Sequence, residues 1–128
     1  MSTIPTPIDP PGMYQSPAFP QAMLAPAGPT LYVGGQDGAD GEGRLLEGLA
    51  AQTEQAMRNL LTVLAEAGTD ADHVAKLTIY LAPDVDPNEG YAASAAVWGN
   101  RRTAVTVIAA APARPGALVE IDAIATLP

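Results

Sequence analysis

The chain has 128 residues, a formal net charge of −8 and no cysteine. That length fits one domain with one core, and without cysteine there is no disulfide, thiolate nucleophile or Cys-based zinc site. Six basic residues, with no basic run beyond Arg101-Arg102, argue against nucleic acid and against anionic membranes as partners. One anionic pocket remains possible, because a well-placed arginine acts locally against the global field.

Residues 1–29 hold eight of the thirteen prolines, so they read as an extended lead-in rather than a helix. The expected division is a Pro-rich segment over 1–13 and a single domain over 14–128. Met1 to Pro11 has neither the basic start nor the apolar run of a signal peptide. No stretch reaches the apolar length of a membrane span. A cytoplasmic protein is expected.

Strand signal over Gln21–Ala25 and Leu31–Val33, with a Pro/Gly turn between, predicts a hairpin. Gly34-Gly35 marks close approach of another group to the backbone. The acidic, glycine-rich loop Asp37 to Gly43 lacks the ligand alternation of a calcium loop. A helix over Glu47 to Ala67 follows, with Leu49, Thr53, Ala56, Met57, Leu60, Leu64 and Ala67 on one face and Gly68 as its stop.

Val74 to Leu81 alternates as a strand, with Leu77, Ile79 and Leu81 on one face. Its neighbour His73 follows Asp70 and Asp72, which reads as a surface patch at the strand entry. Asp86-Pro87-Asn88-Glu89 opens a second helix as a capping-box variant, and Gly99 ends it after Trp98, which is expected in the core. Thr103–Ala109 and Leu118–Thr126 complete the strands. The order is ββαβαββ, in which each helix can cover the same face of one sheet.

Val119, Ile121, Ala123 and Ala125 alternate with Leu118, Glu120, Asp122 and Ile124. Arg102, Ala104, Thr106 and Ile108 share a face of the preceding strand. Helices over the Val/Ile face leave a mixed apolar and acidic face uncovered, which points to a homo-oligomer that packs sheets together. If the last two strands pair antiparallel, Arg102 and Glu120 lie near the same sheet end. Arginine there can grip a carboxylate through two parallel hydrogen bonds, and a glutamate can orient or deprotonate water. A structural salt bridge is the alternative for this pair. Arg101 is expected to be solvated or paired with an acid. Tyr14, in irregular chain, and Tyr91 are candidate pocket residues.

Several blocks resemble the Rid (reactive intermediate deaminase, YjgF) family. They are Leu31-Tyr32-Val33-Gly34-Gly35-Gln36, the helix from Gln52-Thr53 to Asn59-Leu60, the join Leu64 to Gly68, Val74 to Leu81, Arg102-Thr103-Ala104-Val105, and Pro115 to Ala125. The resemblance implies a chorismate-mutase-like α+β fold with one mixed sheet, assembled as a trimer with pockets between subunits. It also implies cofactor-free, metal-free hydrolysis of small 2-imino or enamine acids, such as 2-aminoacrylate, to 2-keto acids and ammonia. Arg102 would hold the carboxylate, Glu120 would position water, Tyr14 would match a pocket tyrosine, and Gly34-Gly35 would present backbone to the ligand. Gly34 stands where the family usually has Ser, and Ala104 where many members have Cys. Those two positions keep open a non-catalytic carboxylate-binding trimer, or a dedicated biosynthetic enzyme acting on an imine or enol.

Overall fold

The computed structural model describes residues 2–128. Six strands and two helices form in the order β1 (Thr6–Ile8), β2 (Ala22–Leu24), β3 (Thr30–Asp37), α1 (Leu49–Glu66), β4 (Val74–Leu81), α2 (Pro87–Trp98), β5 (Ala104–Ala109) and β6 (Val119–Thr126). The main sheet has strand order β3-β6-β4-β5, with β4 and β5 parallel and the other pairs antiparallel.

The expected hairpin between the first two strand signals does not form. β2 pairs instead with β1, inside the Pro-rich segment, with Pro7 opposite Met23. Pro26 and Pro29 flank the turn before β3 and lack the amide donors that a continuing ladder needs. The lead-in is also tied down at its start, where the Thr126 hydroxyl donates to the Thr3 carbonyl and the Thr3 hydroxyl meets His73 Nε2 at 2.9 Å.

α1 buries Leu49, Thr53, Ala56, Met57, Leu60 and Leu64 of the expected 3.6-residue stripe, and Gln52 beside them. Ala67 is the exception: it is the exposed C-cap and adds nothing to the core. Gly68 follows at φ 83°, its N–H donating to the Ala65 carbonyl and that of Thr69 to the Leu64 carbonyl. This paired closure needs a left-handed residue at Gly68. α2 starts at the Asp86 cap, whose carboxylate accepts from Asn88 N at 2.9 Å. Among the described residues no hydrogen bond joins the Glu89 side chain to this cap, so the reciprocal half of the capping box is missing.

The core lies between α1 and the sheet. Val119, Ile121, Ala123 and Ala125 of β6 are buried against Met57, Leu60, Leu64, Val74 and Leu77. Burying the Val, Leu, Ile and Met side chains among these contributes about 1.5–3 kcal/mol each. The opposite sheet face has no helix over it. There Tyr32 and Ile108 are exposed, Ile124 stands opposite Tyr32, and Glu120 and Asp122 are half-buried.

Candidate functional site

Glu120 is placed by three contacts that begin in α1. Gln52, 3 % exposed, donates through Nε2 to the carbonyls of Leu46 and Gly116, and its Oε1 accepts from Leu118 N at 2.8 Å. One side chain therefore fixes the entry to β6 two residues before Glu120. Asn59 donates to the carbonyls of Asp37 and Ala39, fixing the exit of β3. Between these anchors the β3–β6 ladder shifts register from Val33 to Gln36. This irregularity lets Gly35 pass directly over the Glu120 side chain. A Cβ on Gly35 would lie 2.6 Å from Glu120 Oε2, closer than real contacts allow, whereas one on Gly34 would meet nothing within 4 Å. The close approach expected of the Gly-Gly pair thus belongs to Gly35.

Tyr80, opposite Glu120 on β4, reaches across the uncovered face and donates to Asp122 Oδ2 at 3.3 Å. The Asp122 charge, reinforced by burial and by Glu120, pushes the Tyr80 phenol above its usual range. Glu120, Asp122 and Tyr80 form an acidic patch beside exposed glycine backbone. The alternation of β4 places Tyr80 there, on the face opposite Leu77, Ile79 and Leu81.

Arg102 lies elsewhere. β5 and β6 do not pair; β4 runs between them, parallel to one and antiparallel to the other. Ala104 stands level with Lys76 and Glu120 level with Tyr80. Arg102, two residues before Ala104, is therefore level with Val74, roughly 20 Å from the Glu120 row at about 3.3 Å per residue. The two residues sit at opposite ends of the sheet in one chain, and the expected proximity fails because a parallel strand intervenes. They do not form the structural salt bridge with each other.

Arg102 is held by the lead-in segment. Its Nη1 bonds Asp9 Oδ2 at 3.0 Å, and its Nη2 donates to the Ser16 carbonyl at 3.1 Å. The guanidinium, helped by the Gln21 amide, holds the Asp9 carboxyl below the usual carboxylate range against the opposing effect of burial. Asp9 carries no sequence signal, being one acid within a Pro-rich run.

The remaining candidates are dispersed. Tyr14 is 78 % exposed, two residues from the carbonyl that Arg102 holds. Ala104 is half-buried at the start of the edge strand β5. Tyr91, on α2, packs edge-on against Phe19 at 5.9 Å. Arg101 pairs with Asp72 at 2.9 Å and lies over the Trp98 ring. His73 is buried rather than a surface group: Nδ1 meets Asp70 at 2.7 Å, which lowers the Asp70 carboxyl below its usual range. No cluster of three metal-ligating side chains occurs among the described residues.

No helix among the described residues is long and apolar enough to cross a membrane. The family model described as endoribonuclease L-PSP matches residues 13–127. A 2-iminobutanoate/2-iminopropanoate deaminase of Rattus norvegicus is 39 % identical over 114 residues, covering 84 % of this chain and 79 % of its own. Protein DfrA of Myxococcus xanthus is 35 % identical over 115 residues, covering 84 % and 83 %. Among solved structures, the Rid-family protein YyfB of Yersinia pestis, of unknown function, superposes with a TM-score of 0.85 at 33 % identity over 96 % of this chain and 98 % of its own. RidA of an Antarctic Psychrobacter gives 0.72 at 28 % identity over 99 % and 100 %. With its helix-borne Gln52 and Asn59, its Gly35 over Glu120 and its mixed sheet all lying inside the matched span, the chain belongs to the Rid (YjgF, endoribonuclease L-PSP) family.

Proposed function

We propose that the protein hydrolyses small 2-imino or enamine acids to 2-keto acids and ammonia at a site shared between copies of the chain. The observation that carries this reading is the separation of Arg102 from Glu120 in a family whose rat relative is named an imine deaminase. A substrate of a few atoms cannot touch both residues of one protomer. Arg102 adjoins β5 and the Gly35 backbone lies on β3, and these strands are the two free edges of the sheet. Head-to-tail packing that sets the uncovered face beside β3, with its Glu120, against the β5 edge of the next copy, closed by rotation, gives a ring, and a trimer is the ring proposed here.

In that site Arg102 takes the substrate carboxylate in a two-pronged grip, displacing Asp9. Glu120 accepts a proton from water as the water oxygen attacks the imine carbon. Glu120 passes that proton to the imine nitrogen, the hydroxyl proton of the resulting carbinolamine follows it, the carbon–nitrogen bond breaks, ammonia leaves and the carbonyl of the keto acid forms. The acidic character of the Glu120 patch disfavours a second carboxylate there, so the substrate's charged end is directed to Arg102. The chain's net charge of −8 likewise opposes an RNA substrate.

The test generates 2-imino acids in situ with an amino-acid oxidase and follows keto-acid release by wild type, Arg102→Ala and Glu120→Gln. Loss of rate in both variants is expected, and equal rates for wild type and Arg102→Ala would remove the assignment. Tight binding of 2-oxobutanoate in calorimetry without turnover would favour a carboxylate-binding protein.

A further inference from the structure

On the helix side of the sheet, away from Glu120, a cavity of about 480 Å³ lies between α2 and strands β4 and β5. Its origin is legible in α2 itself. The helix packs against α1 and reads Pro-Asn-Glu-Gly-Tyr-Ala-Ala-Ser-Ala-Ala-Val-Trp, so most of its positions carry no side chain large enough to reach the sheet. Trp98 closes one end, and Phe19 and Tyr91 stand on the solvent side. Met57, Leu77 and Val105 supply an apolar inner wall. The volume falls within the few hundred to a thousand Å³ typical of small-molecule pockets.

Thr53 is part of that wall and is 2 % exposed. Its hydroxyl is the one buried side-chain polar atom without a hydrogen-bond partner among the described residues. Native interiors rarely leave such a group unpaired, because the lost hydration is not recovered. An apolar cavity and an unpaired hydroxyl in its wall are features that one ligand would satisfy together.

We infer that this cavity is a second ligand site, taking a small neutral molecule with an aromatic or branched aliphatic body and one hydroxyl or carbonyl that bonds Thr53 Oγ1. Neutrality follows from the wall. The Arg101 guanidinium at its rim is committed to Asp72 and to the Trp98 carbonyl, and a charge carried inward would lose its water without gaining a partner. The site lies across the sheet from the acidic patch and does not rest on the imine reading.

Phenol and toluene serve as probes, with affinities measured by titration calorimetry and by chemical-shift perturbation. Wild type is expected to bind both, phenol more tightly. Thr53→Val, which keeps the shape and removes the hydroxyl, should weaken phenol about 3- to 10-fold, the worth of one hydrogen bond, and leave toluene unchanged. The same variant should raise the Tm of the ligand-free protein. Ala95→Trp, which fills the cavity from α2, should abolish binding of both probes. Failure of either probe to bind, or an unchanged phenol-to-toluene ratio in Thr53→Val, would overturn the site. So would a crystal structure of the assembly with a partner's side chain filling the space.

Discussion

Arg102 and Asp9 form an ion pair at 3.0 Å that ties the start of β5 to the Pro-rich lead-in. The guanidinium proposed to hold a substrate carboxylate already holds one from its own chain. Asp9 is therefore an internal competitor, and removing its charge frees the donors. Asp9→Asn is expected to lower KM for the imino acid by about 1.5- to 5-fold, the range of a partly exposed ion pair, with kcat unchanged. A raised KM would instead mark Asp9 as the group that aims Arg102.

The same pair sets an acid limit on stability. The folded Asp9 carboxyl titrates below its ordinary value of 3.8. A depressed carboxyl contributes stability that is fully present above the unfolded value and is lost as pH falls through the folded one. The Tm of wild type should exceed that of Asp9→Asn by a constant margin above about pH 5, and the margin should close below pH 3.8. Thermal melts from pH 3 to 7 in low salt read this directly. A margin that is flat through the acid range would show that the pair contributes nothing.

Gly34 and Gly35 should respond oppositely to added side chains. A Cβ at Gly35 meets Glu120 Oε2 at 2.6 Å, and the carboxylate must move. A shift of about 1 Å in a reacting group can cost on the order of 100-fold in rate. Gly35→Ala is thus expected to reduce kcat sharply with little change in KM, since the proposed grip on the carboxylate is that of Arg102. Gly34→Ser enters open space and should keep both the fold and the rate. Steady-state kinetics on the two variants separate close approach from generic backbone freedom.

Gln52 links the core to the proposed chemistry. Its three hydrogen bonds hold Leu46, Gly116 and Leu118, and the last fixes the strand that carries Glu120. Gln52→Leu removes three part-buried hydrogen bonds, each worth roughly 0.5–1.5 kcal/mol. Chemical denaturation should show that loss as a lower midpoint, and keto-acid release should fall further than the folded fraction alone explains.

Why some of this was legible in the sequence and some was not follows from the range of each signal. The α1 stripe, the Gly68 stop and the alternation of β6 are local patterns, and they gave the helix, the sheet faces and the position of Glu120 on the uncovered face. Strand neighbours are not local. Nothing near Ala109 to Pro115 shows that β4 inserts between β5 and β6, so the predicted closeness of Arg102 and Glu120 in one chain was wrong. The Asp9–Arg102 pair spans most of the chain and involves a residue without any periodic context. The cavity under α2 is implicit in its small residues, but only the position of the helix relative to β5 turns an Ala-rich stretch into a cavity.

The uncovered sheet face tests the shared-site reading most directly. Tyr32 is 75 % exposed and pairs with Ile124, while Ile108 is 40 % exposed on the edge strand. The Tyr32–Ile124 pair leaves apolar surface open on a face with no helix over it, and such surface commonly marks an interface. A charge placed there is excluded from a packed interface yet costs little where the face is solvated. Ile124→Glu is accordingly expected to keep the circular dichroism spectrum of wild type, to convert particles of about three chains into single chains in light scattering, and to abolish keto-acid release, because each protomer then holds Arg102 without a facing Glu120. Monomers that retain full activity would refute a site built between chains, and would require a substrate path linking the two ends of one sheet.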